Sequence, residues 1–540
     1  MRIISAKGEF FAPALSAQLN INNVLLLEAG EMTSPITLPG TAHNLALIDN
    51  SHRPDAYFKP LTDLDVILID GLVHCKCNLG IHSANEEDGI SCTLYLDTGG
   101  FYSRLNDMKL AGLNWPILKC PNFDTTTLND RRQWLIDIME SQYNNQSSDY
   151  PFRVVPVETS QNCSYNNETG VTIDNEFLAL NQLAEYATII EGNESVHVCR
   201  IEHLRGSAPI SIKVDSNNIT IDKGYGITPF LKLDYILNFI FSELGYVYDK
   251  SKMSLYVKEY YEKTLLYNNV ADAIYSGKLT YSQLFPDITI KDFLSETQKV
   301  LAGKFIVTEN LKKIEFVSFS TAFNLPPDID LSRYLCQKAK MKDTEFAKIL
   351  ISDSTQSTSD TSSTSTTKTE TISFNILKQN YCQHRIAATT VPQSVLFSQV
   401  KSDSVVHLNS SLKIGDSITQ EASKIPTEVF FISMDDKWEV MSDTTHTNAV
   451  FYYRTSYGVF DGSIALLNYS YREYRDFRSN SNIPISAKMR IPKALLESIR
   501  PQIPKLLNGQ SVMIESMQLV LGDSTTQDVN FRTIRSYADR

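Results

Sequence analysis

Cys75 and Cys77 stand two apart beside His74, with Cys92 in the next apolar run, and thiols with an imidazole are the ligand types that zinc takes. In an extended chain residues i and i+2 share a face, so the two thiols lie together while His74 turns to the other side, and the spacing fits no zinc pattern. Eight cysteines in 540 residues do not make a disulfide scaffold, and we read these as buried, reduced thiols. His197 and His203, with Cys199 between them, could put two imidazoles on one strand face, but among nine scattered histidines they read as ordinary strand positions. Glu191, Glu194, Asp287 and Asp292 are carboxylates of the kind that pair as acid and base in glycoside hydrolysis. Solvated faces and helix caps explain them better. The aromatic runs Phe451-Tyr452-Tyr453-Arg454 and Tyr469-Ser470-Tyr471-Arg472-Glu473-Tyr474-Arg475 could stack on sugars or bases. Tyr and Arg are also enriched where subunits meet, and we prefer that reading.

Motifs with a fixed chemical meaning are missing. The chain has no Gly-x-Ser-x-Gly elbow, no Gly-x-x-x-x-Gly-Lys phosphate loop, no His-Glu-x-x-His and no Gly-x-Gly-x-x-Gly. We therefore expect no catalytic, cofactor-binding or metal residues, and a protein that is not an enzyme. The net charge of −12 argues against broad or sequence-specific nucleic-acid binding, which needs clustered Lys and Arg, although DNA could pass through an acidic ring without sticking. No run reaches the roughly 20 apolar residues of a membrane span, and Glu9 interrupts the place where a signal peptide would be apolar. Asn-x-Ser/Thr sequons begin at Asn145, Asn162, Asn167, Asn193, Asn218, Asn409 and Asn468, which we attribute to a chain rich in those residues.

The elements that would position these groups are strand-rich. Twenty-six Tyr and 25 Phe against three Trp favour strands over a helical bundle. The length predicts roughly three or four domains. Residues 1–112 alternate as strands, with Asp70-Gly71 joining two of them as a hairpin, Ser91 to Leu96 forming another that ends at Gly99-Gly100, and a sandwich or barrel as the shape. Residues 113–199 form an insertion domain with short helices at 129–142, around Trp134, Leu135, Ile138 and Met139, and at 174–190. Residues 200–322 form an α+β unit around Phe293. In it Thr228 and Pro229 open one helix that Gly245 closes, Thr289 and Asp292 cap a second that Gly303 ends, and Phe305 to Val317 folds as a hairpin over it. Residues 323–373 form a linker whose run at 352–371, mostly Ser and Thr without aliphatic or aromatic side chains, predicts a mobile loop. Residues 374–540 return to strands, with an Asn508-Gly509-Gln510 turn feeding the final ones. The fold class is thus strand-rich α+β.

Several short motifs carry a resemblance. Pro229-Phe230-Leu231-Lys232-Leu233, Gly245-Tyr246, Tyr267-Asn268-Asn269 before Ala271-Asp272-Ala273-Ile274, and Leu284-Phe285-Pro286-Asp287 before Asp292-Phe293-Leu294 resemble the middle of phage tail hub proteins, including Mu-like baseplate hubs. Leu38, Pro39, Thr41 and Asn44 match a turn of that family's first domain, and the closing Asn-Gly-Gln turn is similar to its end. The resemblance implies two β-barrel-like domains, at 1–112 and 374–540, lying side by side. It further implies a homotrimer in the virion tail, made in the host bacterial cytoplasm, of a phage or phage-derived injection machine. There it would close the tail tube and adapt a sixfold tube to a threefold tip, with the tube or distal tail protein, tip spike or fibre proteins and the tape-measure protein as partners. The alternative is a carbohydrate-binding or carbohydrate-degrading surface protein.

Overall fold

The computed structural model describes residues 1–12, 17–27, 32–53, 63–70, 73–143, 149–154, 164–166, 170–172, 181, 183–191, 194–214, 217–270, 272–342, 347–353, 368–374, 376–377, 427–429, 431–433, 470–492, 495, 499–521 and 526–534. Among them the helices are α1 (Ala42–Leu47), α2 (Asp97–Arg104), α3 (Leu128–Tyr143), α4 (Leu233–Glu243), α5 (Leu255–Lys263), α6 (Ile290–Val300), α7 (Phe319–Asn324) and α8 (Arg472–Asp476). None is long and apolar enough to cross a membrane.

Strands from the two ends of the chain form one 13-stranded sheet. Its order runs Gly8–Glu9, Arg2–Ser5, Leu64–Asp70, Val73–Asn85, Gly89–Leu96, Met32–Thr33, Ala17–Asn22, Gln510–Leu521, Gln527–Thr533, Pro484–Met489, Lys340–Met341, all antiparallel. The join is the pairing of Ala17–Asn22 with Gln510–Leu521, in which Leu19 opposes Leu519. One core, containing Ile3, Leu68, Leu94, Met517 and Phe531, runs along both halves. The two barrel-like domains expected side by side at 1–112 and 374–540 are, among the described residues, one continuous sheet. Ala17–Asn22 spends on Gln510–Leu521 the backbone groups that closing either half into its own barrel would have used.

Local chemistry explains the sheet's turns. Asp70 pairs with Val73, as a two-residue hairpin turn requires. Asn508 and Gly509 both take positive φ, 50° and 80°, the pattern that matches strand twist, and Leu507 pairs with Gln510 across them. Thr41 caps α1 by accepting from the Asn44 N–H, and buried Asn44 in turn bonds Phe11 and Pro39 main-chain groups. Gly99 and Gly100 do not stop the strand before them. They lie inside α2, where a Cβ on Gly100 would stand 3.1 Å from the Tyr95 carbonyl.

The middle unit packs helices on two smaller sheets. On α4 the stripe Leu233, Ile236, Leu237, Ile240 and Phe241 is buried. Gly245 (φ 78°) donates to the Ser242 carbonyl and Tyr246 to the Phe241 carbonyl, which closes the helix with a glycine-dependent motif. Thr289 caps α6 by accepting from the Asp292 N–H at 3.1 Å; the return bond expected from Asp292 is replaced by the Thr289 hydroxyl donating to the Asp292 carboxylate at 2.7 Å. Phe293 is 0% exposed, beside Phe431. Gly303–Thr308 and Lys313–Ser318 form the expected hairpin, and Val247–Asp249 joins it in parallel.

Four local expectations change. Thr228 and Pro229 do not start α4: Phe230–Lys232 is a strand, and the Thr228 hydroxyl donates to Asn268 Oδ1 at 3.0 Å. The left-handed residue after α6 is Ala302 (φ 48°), while Gly303 is needed because a Cβ there would meet the Phe316 ring and Val317 carbonyl at 2.5 Å. The helix expected at 174–190 is overturned over 183–191, where Leu183–Glu191 pairs with Glu194–Leu204; β-branched and aromatic residues there suit a strand. Of the expected loop 352–371, residues 352–353 and 368–371 lie in parallel strands Ala347–Asp353 and Lys368–Phe374, while 354–367 fall outside the described residues.

Segments distant in sequence complete the middle unit. Leu135 and Met139 of α3 and Phe152 are buried in its core, from the region expected to be a separate insertion. Phe431–Ser433 and Ile376–Leu377 join Thr264–Leu266 in its five-stranded sheet, and α8 packs on α7. The linker residue Asp328 accepts from Lys505 Nζ with both carboxylate oxygens at 2.7 Å, binding the linker to the terminal sheet.

Candidate functional site

The groups singled out by type and spacing do not converge. Cys75 and Cys77 do share a face, with sulfurs 3.7 Å apart, and both are free thiols, as is Cys92 on the neighbouring strand. The hydrogen bond from Cys75 and burial push the Cys77 thiol far up, and burial raises Cys92 to about 12, which favours the protonated thiol at both. His74 lies on the same strand, and His197 and His203 share Glu194–Leu204, but their side chains are outside the described ones. Glu191 and Glu194 close one hairpin, their side chains likewise undescribed. Asp287 pairs with Lys109 at 3.0 Å and Asp292 accepts from the Thr289 hydroxyl at 2.7 Å, so these two carboxylates are engaged separately. No three His, Cys, Asp or Glu side chains converge as metal ligands among the described residues.

Of the aromatic runs, 451–454 lie outside the described residues. Tyr471 is 1% exposed and its hydroxyl donates to the Lys299 carbonyl at 2.6 Å. Tyr474 stacks on Phe319 at 4.6 Å between centroids. Arg472–Asp476 is helical, and the Tyr471 and Tyr474 rings pack inside the molecule, against sugar stacking or a subunit face for these two; Tyr469 lies outside the described residues. Helical spacing brings Tyr471 and Tyr474 to one side, where α7 presents Phe319 and Phe323.

The densest polar cluster lies where the terminal sheet meets the middle unit. Strand Gly89–Leu96 turns into α2 at Asp97, which holds a positive φ of 39°. Gly303–Thr308 is an edge strand of its three-stranded sheet, and the structure seals that edge with side chains instead of a further strand. Phe305 N–H donates to Gln298 Oε1 at 3.2 Å, Val307 N–H to Thr98 Oγ1 at 3.2 Å, and Glu309 N–H to Asp97 Oδ1 at 2.8 Å. Alternate backbone donors that could template another chain are thus satisfied.

Beyond this edge Glu309, 8% exposed, accepts from Tyr246, Arg104 and Lys312. Burial alone would raise its carboxyl, but the hydrogen bonds from Lys312 and Tyr246 and the Arg104 charge outweigh burial and hold it low. Burial and the bond to Glu309 push the Tyr246 phenol up. Every member is engaged by another, and none is poised as a base or nucleophile. The cluster fastens Asp97 and Arg104, at the end of the sheet, to Glu309 of the middle unit.

Sequence reasoning missed these residues. Asp97, Arg104, Tyr246 and Glu309 come from three distant segments, each unremarkable locally. A weak signal was Asp97 followed by Gly99-Gly100, a corner composition read as a stop.

No protein-family model matches the chain, and no curated protein matches it. Among solved structures it is similar to the 43 kDa tail protein of prophage MuSo2 from Shewanella oneidensis, with 6% identity, a TM-score of 0.32, and 99% of this chain and 98% of that chain covered. At that score the functional reading rests on this chain's own residues.

Proposed function

We propose that this chain is a structural tail protein of a phage or phage-derived injection machine. In our reading it is a baseplate hub that assembles as a homotrimer, closes the tail tube and adapts a sixfold tube to a threefold tip. The observation that carries the reading is the join of Ala17–Asn22 to Gln510–Leu521, which sets strands from both ends of the chain side by side in one sheet. Two adjoining strand sets per chain, taken three times around an axis, give a face of pseudo-sixfold character, while the rest of each chain keeps threefold symmetry. The hub-like motifs Gly245-Tyr246 and Asn508-Gly509 add support, since they form a helix cap and a turn that hold this architecture, while Leu38 ends a strand of the sheet. The function is assembly, with no bond broken. A carbohydrate-binding reading loses support from the burial of Tyr471.

The test is the mass of the purified chain by native mass spectrometry, followed by electron microscopy with tail tubes. We expect three copies of the 60.9 kDa chain, which cap tube ends. A chain that stays monomeric in solution and leaves tube ends bare would overturn the proposal.

A further inference from the structure

Among the described residues the sheet runs from Gly8–Glu9 at one end to Lys340–Met341 at the other, and the charges at the two ends are used differently. At the first end Arg2 pairs with Glu9 at 2.7 Å and Lys7 with Asp49 at 2.7 Å. At the other, Lys338, Lys340, Lys342, Lys488 and Arg490 are all exposed, and none forms an ion pair among the described residues. In a chain with a net charge of −12 these cations give one corner a field opposite to that of the whole. Asp528, opposite Lys488, is the carboxylate that the last three strands hold, while Asp343 and Glu345 follow Lys342 in sequence and lie outside the described residues.

Register sorts this edge into two faces. Lys340 opposes Ser486, and Lys488 stands two residues beyond Ser486, so both ammonium groups rise from one face. Met341, 63% exposed, opposes Ile485 on the other face. There a groove of about 570 Å³ opens, with Leu335, Ala339 and Met341 along it. The Lys342 N–H donates to the Pro484 carbonyl at 3.0 Å, so Met341, one residue earlier, turns its own N–H and carbonyl away from the sheet. Lysines on an edge repel a second copy of that edge. They attract a strand that carries carboxylates.

We propose that the Lys340–Met341 edge binds an extended segment of another protein in which acidic and apolar residues alternate. The segment adds a strand through the Met341 main chain, sets its carboxylates against Lys340, Lys342 and Lys488, and lays its apolar side chains in the groove beside Met341. Each half of the match excludes a competitor. A nucleic acid would meet the lysines but has no strand to pair and no side chain for the groove, and a wholly apolar strand would leave the cations without partners. The site requires neither a trimer nor a tube, so its failure and that of the proposed tail role are separate results.

Fluorescence anisotropy of a labelled Glu-Val-Glu-Val-Glu-Val peptide, titrated with the full chain, tests the site. We expect saturable binding that weakens as salt rises. The block isomer Glu-Glu-Glu-Val-Val-Val and the basic Lys-Val-Lys-Val-Lys-Val should each bind at least about tenfold more weakly. Joint Lys340→Glu and Lys342→Glu substitution, at two exposed positions, should cut affinity at least about tenfold with the melting temperature retained. Met341→Pro removes an outward N–H, a change that a sheet edge tolerates, and should cut affinity likewise. Equal affinity for the block isomer or for a DNA oligonucleotide would reduce the surface to a charge patch and overturn the proposal. Absence of saturable binding, or unchanged affinity in both variants, would overturn it as well.

Discussion

Helix α6 of the middle unit meets the hairpin Gly303–Thr308 and Lys313–Ser318 within a few residues of its own end, whereas Ala17–Asn22 of the terminal sheet pairs with Gln510–Leu521 from the far end of the chain. Both regions bury apolar residues completely, Phe293 in one and Phe531 in the other. They differ in how much chain had to be organised first. Closing a loop costs entropy that grows slowly with length, so the long-range pairing is affordable but is specified by nothing local. The middle unit should therefore hold its shape without the sheet's last strand, and the sheet should not.

The largest expected effect follows from truncating the chain before Gln527. Gln527–Thr533 lies between Gln510–Leu521 and Pro484–Met489, with Val529 and Phe531 buried. Its loss should collapse the terminal sheet while Trp115, stacked on Phe239 at 4.1 Å in the middle unit, keeps its native fluorescence. Loss of both signals together would break the comparison.

Phe293→Ala tests the other side. It removes a fully buried ring and should cost about 3–5 kcal/mol in urea unfolding followed by tryptophan fluorescence. A change under about 1 kcal/mol, far below that cavity range, would mean that the middle unit is not centred on α6.

Asp328→Ala strips the partner from Lys505, whose side chain is 0% exposed. We expect a loss near the lower end of about 3–5 kcal/mol, since Asp328 is partly solvated. Burial already holds the Lys505 pKa below its unfolded value despite Asp328. The unfolded chain then binds more protons, so this group's contribution makes stability rise as pH climbs through the folded pKa toward about 10.4. Removing Asp328 should steepen that rise. Chemical denaturation across alkaline pH reads it, and a flat difference between variant and parent would refute the assignment.

The smallest effects form a matched pair. Gly245 and Gly509 hold φ of 78° and 80°, and a Cβ at either would touch nothing within 4 Å. Gly245→Ala and Gly509→Ala should each cost about 1–2 kcal/mol, from backbone strain alone. Equal losses in thermal melts would show that local geometry weighs the same in both regions; a much larger loss at Gly509 would mean that its hairpin sets the sheet's register.

What was legible in the sequence was local. The Thr289 cap, the closure at Gly245, the Asn508-Gly509 turn and the shared face of Cys75 and Cys77 each follow from residues a few positions apart. Thr228 and Tyr471 were misread because their partners, Asn268 and Lys299, stand far off in the chain. The Glu309 cluster was illegible for the same reason, since Asp97, Arg104, Tyr246 and Glu309 have no common spacing.

The sequence by itself determined a strand-rich α+β chain, the Thr289 cap and the Gly245 closure of its middle unit, and the absence of a recognisable catalytic motif, because periodicity and turn chemistry act over a few residues. Only the tertiary structure decided that the two ends of the chain share one sheet and that the edge at Phe305, Val307 and Glu309 is sealed by Gln298, Thr98 and Asp97. Strand pairing and hydrogen-bond satisfaction are settled between segments that meet in space, and their separation along the chain leaves no trace in either one.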